Sequence, residues 1–175
     1  MFEVIIYRHF PTKEELYWAV LEEQCKVRID KAKGHHWFED DPEADKDEEI
    51  FTQLAENMLK RNFEDPALTR LMLFSALEKH ELVSKFFRTY TAPWIDQLAE
   101  RIRKRIAAGR FRKTDPVIAA RAFIGMLIYH YQVQELYGGN ELADYDIKLV
   151  AQEFTRTWLY GMSANANSET QKKRK

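Results

Sequence analysis

His35 and His36 stand side by side near Glu39, Asp40 and Asp41, residue types that can ligate a metal. A helix presents two imidazoles to one ion through i, i+4 spacing. Adjacent histidines in an acidic connector do not have that spacing, so no metal is expected. Cys25 and Ser75 are nucleophile types, but each stands alone in a helical pattern without a base at a recognisable distance. No glycine-rich phosphate loop is present. The expectation is therefore not an enzyme, and no cofactor. His130 lies on an apolar stretch, where a satisfied core or interface histidine is preferred over a ligand. Arg101, Arg103, Lys104, Arg105, Arg110, Arg112 and Lys113 form a basic run without an acid. It straddles a helix end at Gly109, where the macrodipole stabilises cations by about 0.3–1 kcal/mol each, and this helix-end reading is preferred over a nucleic-acid patch.

The elements that carry these residues are helices. The 175 residues, 45% hydrophobic and 31% charged with a net charge of −1, suit one ordered domain with no general attraction to nucleic acid. One cysteine allows no internal disulfide and suits a reducing compartment. No run approaches the roughly 20 apolar residues that span a bilayer, and no secretory pattern opens the chain, so a cytoplasmic protein without a membrane partner is expected.

Thr12 and Glu15 form a capping box that opens a helix running to Lys33, with Gly34 as its stop. Residues 35–47 are an acidic connector. Ile50, Leu54, Met58 and Leu59 mark a second helix ending near Glu64-Asp65. Asp65-Pro66 starts a third, with Leu68, Leu71, Met72, Ser75 and Ala76 on one side. A fourth runs from about His80 to Ala108 on the stripe Val83, Phe86, Phe87, Tyr90, Trp94, Leu98, Ile102 and Ile106. Pro93 within it frees the Thr89 carbonyl and bends it. Asp115-Pro116 opens a fifth, stopped by Gly138-Gly139, and a sixth spans about Asp146 to Met162. The fold expectation is all-α, with no strand.

The stretch Ile6 to Glu22, "IYRHFPTKEELYWAVLE", resembles the end of the DNA-binding unit of TetR-type (tetracycline-repressor-like) transcriptional regulators: a Tyr-x-His-Phe turn, a short Pro/Thr step, then a Lys-Glu-Glu-Leu helix start. Beyond it the likeness is architectural, a helical body with two C-terminal helices. The resemblance implies residues 1–11 as a remnant of a helix-turn-helix unit, 12–162 as an effector-binding and dimerisation domain, and 163–175 as a disordered basic tail. It places Met1 at about the start of the recognition helix, so that the DNA-binding unit looks truncated. Phe2, Val4 and Ile5 depart from the small residues the family keeps there.

Carried over, the resemblance gives Tyr7, His9 and Lys13 as phosphate contacts, with operator DNA as partner of the full-length form. It implies a pocket for a small, hydrophobic effector, and the aromatics that suit it are Phe74, Phe86, Tyr90, Trp94 and Tyr129, with Met72 and Met126 as adaptable filler. The fifth helix is apolar most of the way round and so needs burial on two sides. With the sixth it would pair against a second copy, which gives a homodimer interface of Phe123, Leu127, His130, Tyr131, Phe154 and Trp158. A dimerising small-molecule-binding module that no longer recognises DNA is the alternative function.

Overall fold

Helix starts follow the capping chemistry of the sequence. The computed structural model describes residues 9–32, 46–79 and 81–164. Within them run α1 (Lys13–Ala32), α2 (Asp47–Glu64), α3 (Pro66–Leu77), α4 (Glu81–Phe86), a π-helical turn (Phe87–Thr91), α5 (Ala92–Ala107), α6 (Pro116–Leu136), α7 (Gly139–Leu142) and α8 (Ile147–Met162). No strand forms among the described residues; Phe111 and Ser163 make an isolated antiparallel bridge. The Glu15 N–H donates to Thr12 Oγ1 at 3.1 Å, one half of the capping box. Asp115 Oδ1 accepts from the N–H groups of Val117 and Ile118 at 2.8 and 3.0 Å, with Pro116 in the first turn of α6. Asp146 Oδ1 accepts from Leu149 at 2.9 Å and opens α8. The expected His35/His36 cluster and most of the basic tail lie outside the described residues.

Gly109 closes α5 as a left-handed cap. With φ at 71°, it lets its own N–H reach the Ile106 carbonyl and that of Arg110 reach the Arg105 carbonyl, both at 3.0 Å. The chain then turns back, and Phe111 enters the core. The Arg112 N–H meets the Met162 carbonyl at 2.8 Å, which ties the end of α8 to this turn. The short α7 occupies the place where a plain stop was expected. Gly139 at its start is required by space: a Cβ there would lie 2.8 Å from the Val133 carbonyl oxygen.

The expected fourth helix is three pieces, and Pro93 is the reason. In a continuous α-helix its ring would meet the Thr89 carbonyl, which also has no N–H to bond. The π turn widens the coil before the proline, so the Ala92 N–H donates to the Phe87 carbonyl five residues back.

The described residues fall into two compact units. One is α1 with α3, α4 and the π turn. Buried Leu21 and Leu68 form its centre, and Trp18, Leu71, Met72, Phe86 and Tyr90 pack against them. The Phe86 and Tyr90 rings lie 5.3 Å apart, and Lys85 Nζ stands 3.6 Å above the Trp18 ring.

The other unit is α2 with α5, α6, α7 and α8. Its α2 lies along α8 and α6. Phe51, fully buried, meets Trp158 at 4.6 Å, Phe123 at 5.2 Å and Phe111 at 6.4 Å between ring centroids. Burial of each such ring contributes about 1.5–3 kcal/mol. Trp158 Nε1–H donates to the Ala119 carbonyl at 3.1 Å, so its one polar atom is satisfied inside the apolar cluster.

Candidate functional site

Two of the seven cations in the basic run are not solvated. Arg101 and Arg105 recur four residues apart beside the buried Leu98 and Ile102, so the face that buries one buries both. Their exposure is 5% and 1%, and that of Asp47, the first residue of α2, is 8%. Arg105 Nε donates to Asp47 Oδ2 at 2.7 Å, its Nη2 donates to the same oxygen, and Arg101 Nη2 lies 3.5 Å from Oδ1. A charge removed from water must find a counter-charge in place, so this cluster locks the start of α2 to the end of α5. The helix-end reading of the basic run did not foresee that these two arginines are buried and paired. The other members stay outside: Arg103 pairs with Glu100, Arg112 Nε donates to the Gly161 carbonyl at 2.6 Å, and Lys104 and Lys113 are exposed.

The expected dimer residues divide. Phe123, Leu127 and Tyr131 are fully covered, and Trp158 nearly so, by residues of this same chain. They belong to the protomer's core and have no surface to offer a second copy. His130 and Phe154 are half-buried at its edge, with ring centroids 5.6 Å apart, and Tyr145 approaches the same imidazole at 6.0 Å. This burial lowers the His130 pKa from its ordinary 6.5. The uncovered side of α6 is a different stripe: Ile118, Ala122, Gly125, Ile128 and Tyr129, spaced by threes and fours. On α8 the exposed apolar residues are Leu149 and Tyr160. An open groove of about 480 Å³ on α2 and α8 is polar, lined by Glu48, Glu49, Glu56, Lys46 and their neighbours.

The residues expected to meet an effector are also sorted by the fold. Met72, Phe86 and Tyr90 share the cluster of the first unit. Trp94 and Met126 pack on the core of the second. Phe74 and Tyr129 are exposed, at 60% and 65%, and Tyr129 belongs to the outer stripe of α6. Of the expected phosphate contacts, His9 and Lys13 are exposed just before and at the start of α1, and Tyr7 lies outside the described residues. The Asp47 cluster was missed from sequence. Arginines four apart on an apolar stripe were its only signal, and nothing singled out Asp47 among the acids of residues 39–49.

No helix among the described residues is long and apolar enough to cross a membrane. The fold has relatives. Residues 48–161 match the family model of the AefR-like transcriptional repressor, C-terminal domain. Among solved structures, a protein of Mesorhizobium loti MAFF303099 described as a TetR-family transcriptional regulator is similar at a TM-score of 0.69 and 20% identity. The match covers 91% of this chain and 79% of that one. A search of curated proteins finds no match. The family model takes in all of α5, α6 and α7 and nearly all of α2 and α8, well over half of the sequence, and on that ground the chain belongs to the TetR-type transcriptional regulators with an AefR-like C-terminal domain.

Proposed function

We propose that this chain is a ligand-responsive transcriptional regulator that works as a homodimer, paired through the outer faces of α6 and α8. The observation that carries the reading is the stripe Ile118, Ala122, Gly125, Ile128 and Tyr129, left uncovered on the C-terminal domain of a repressor family. Exposed apolar residues repeating along one helix face lose little on meeting their own copy, and a two-fold axis brings the same stripe twice. Operator DNA is the macromolecular partner, with Tyr7, His9 and Lys13 on phosphates. A lysine at a helix start adds its charge to free backbone N–H groups. The effector is small and largely apolar and meets Met72, Phe86 and Tyr90, and no catalytic step is involved.

Neighbouring residues on opposite faces of α6 supply the test. Sedimentation of the unaltered chain at micromolar concentration should show a dimer. Ile128→Glu should give a folded monomer with an unchanged far-ultraviolet spectrum. Leu127→Glu should instead unfold the protomer, because it sets a charge in a fully covered site at a cost of several kcal/mol. A folded monomer for the unaltered chain, or a dimer undisturbed by Ile128→Glu, overturns the proposed interface.

A further inference from the structure

We propose that the turn between α5 and α6, with the segment that leaves α8 beside it, is a cationic ridge that binds the phosphates of duplex nucleic acid without regard to sequence. This goes beyond the function proposed above, which sets operator phosphates on Tyr7, His9 and Lys13. The ridge uses only residues of the second unit.

Charge is segregated in this chain. Residues 101–114 hold seven cations and no acid. The whole sequence sums to −1, so everything outside that stretch sums to −8. A local excess of this kind sets the field that a partner meets, whatever the net charge. The macrodipole of α5 accounts for a cation in its last turn, such as Lys104, but its effect fades within that turn. It does not account for Arg110, Arg112 and Lys113, which follow the Gly109 cap.

The bordering acids are already engaged. Asp47 holds Arg101 and Arg105, Glu100 pairs with Arg103, and Asp115 caps α6. Lys104 and Lys113 are exposed and pair with no carboxylate among the described residues. Arg112 Nε donates to the neutral Gly161 carbonyl at 2.6 Å, a bond that fixes the guanidinium without neutralising it.

The fold also brings here cations that lie far off in sequence. The Arg112 N–H meets the Met162 carbonyl at 2.8 Å, and the Ala164 N–H meets that of Arg110 at 3.4 Å, so the chain leaves α8 at this same turn. Lys172, Lys173, Arg174 and Lys175 follow. Whatever path the segment takes, eight residues hold Lys172 within about 29 Å of Ala164.

The surface between the cations selects the partner. Ala107, Ala108 and Gly109 are exposed, Phe111 is turned into the core, and no large apolar side chain from 101 to 114 is exposed. A membrane would need an apolar anchor here, and a protein partner an apolar or aromatic anchoring residue. A duplex needs neither. It carries one charge per about 1.7 Å of axis, and release of its condensed counterions rewards lysine and arginine alone.

Titration of the whole chain with a random-sequence duplex over a salt series tests the ridge. The logarithm of the binding constant should fall linearly with that of salt. Each lysine on a phosphate contributes about one unit of slope, so Lys104→Ala with Lys113→Ala should lower the slope by about two and leave the far-ultraviolet spectrum unchanged. Lys60→Ala with Lys148→Ala removes the same net charge from exposed positions elsewhere and should leave the slope as in the parent. Glutamine at 172–175 should weaken binding yet keep the share carried by Lys104 and Lys113. The loss at the ridge should persist in a Lys13→Ala background, so failure of the operator contacts and failure of the ridge are read apart. The ridge is overturned by no binding of the parent at about 50 mM salt, by a parental slope in the Lys104 and Lys113 variant, or by an equal loss in the Lys60 and Lys148 control. Loss of all binding with the 172–175 cations overturns it too, as does equal binding to polyglutamate or phosphatidylserine vesicles at matched charge.

Discussion

Replacing Asp47 by alanine tests the buried charge cluster directly. The carboxylate is the counter-charge of two guanidinium groups that are 5% and 1% exposed. Without it neither arginine can move into water unless α2 and α5 part. Truncating one partner of a buried ionic cluster costs about 3–5 kcal/mol, a large share of the roughly 5–15 kcal/mol that holds a domain together. For a chain of this length each kcal/mol moves the melting temperature by about 2–4 °C, so Asp47→Ala should melt about 6–20 °C lower. Loss of the acidic side chain from the first turn of α2 adds at most about 1 kcal/mol.

Calorimetry and denaturant titration measure the change, and a cycle with Arg105→Met isolates the pair. The double variant should be less destabilised than the two single losses added together, because a neutral residue 105 no longer needs the carboxylate. Salt gives an independent check. Raising ionic strength from about 0.1 to 1 M should leave the Asp47 effect nearly intact, since buried charges are poorly screened. The exposed Glu48–Arg156 pair at 2.8 Å should matter little at any salt. A loss below about 1 kcal/mol for Asp47→Ala, or one abolished by salt, would mean that the carboxylate is solvated and the argument wrong.

Stability should also fall in acid through His130. Burial lowers its folded pKa below 6.5, so between the two values the unfolded chain binds the proton and the folded one does not. The stabilisation is complete above pH 6.5 and declines as pH falls through 6.5 towards the folded pKa. Denaturant midpoints at about pH 7.5, 6.5 and 5.5 should show this decline in the parent and a flatter one in His130→Phe, and parallel losses in both refute it. An apolar effector held by Met72, Phe86 and Tyr90 should raise the melting temperature with concentration, by about 2.7 kcal/mol of added stability at a hundredfold excess over Kd. Phe86→Ala should lose most of that shift, and a panel of apolar compounds that never moves the parent's melting temperature removes the effector reading.

Helix positions were legible because capping and termination are local chemistry. Thr12, Asp115, Asp146 and Gly109 each act within four residues of themselves, and each does in the structure what its type implies. The interruption at Phe87–Thr91 was legible only in part. Pro93 announced a freed carbonyl and a bend, but not that the coil would widen into a π turn before it. The Asp47 cluster joins residues 54 and 58 apart in sequence, and no local rule chooses one acid among several at that range.

The two faces of α6 show why function was harder to read than fold. Apolar residues nearly encircle the helix, so hydrophobicity predicts burial on both sides and does not say which side meets what. Side-chain size carries the missing information. The bulky Phe123, Leu127 and Tyr131 fill the protomer's own core, where space between α2, α6 and α8 must be occupied. The opposite stripe has Ala122 and Gly125 at its middle. A glycine inside a helix destabilises it by about 0.5–1 kcal/mol relative to alanine. Nothing in the protomer requires that loss, for a Cβ at Gly125 would meet no atom within 4 Å and its φ is not in the left-handed region. Gly139 stands in contrast, held by the Val133 carbonyl of its own chain. The protomer gives no reason of its own for Gly125, and the proposed dimer would supply one. In the proposed dimer a flat surface beneath Ile118, Ile128 and Tyr129 would let the α6 of a second copy approach closely, so Gly125→Leu should weaken the dimer seen by sedimentation while leaving the protomer folded; an unchanged dimer would sink this placement.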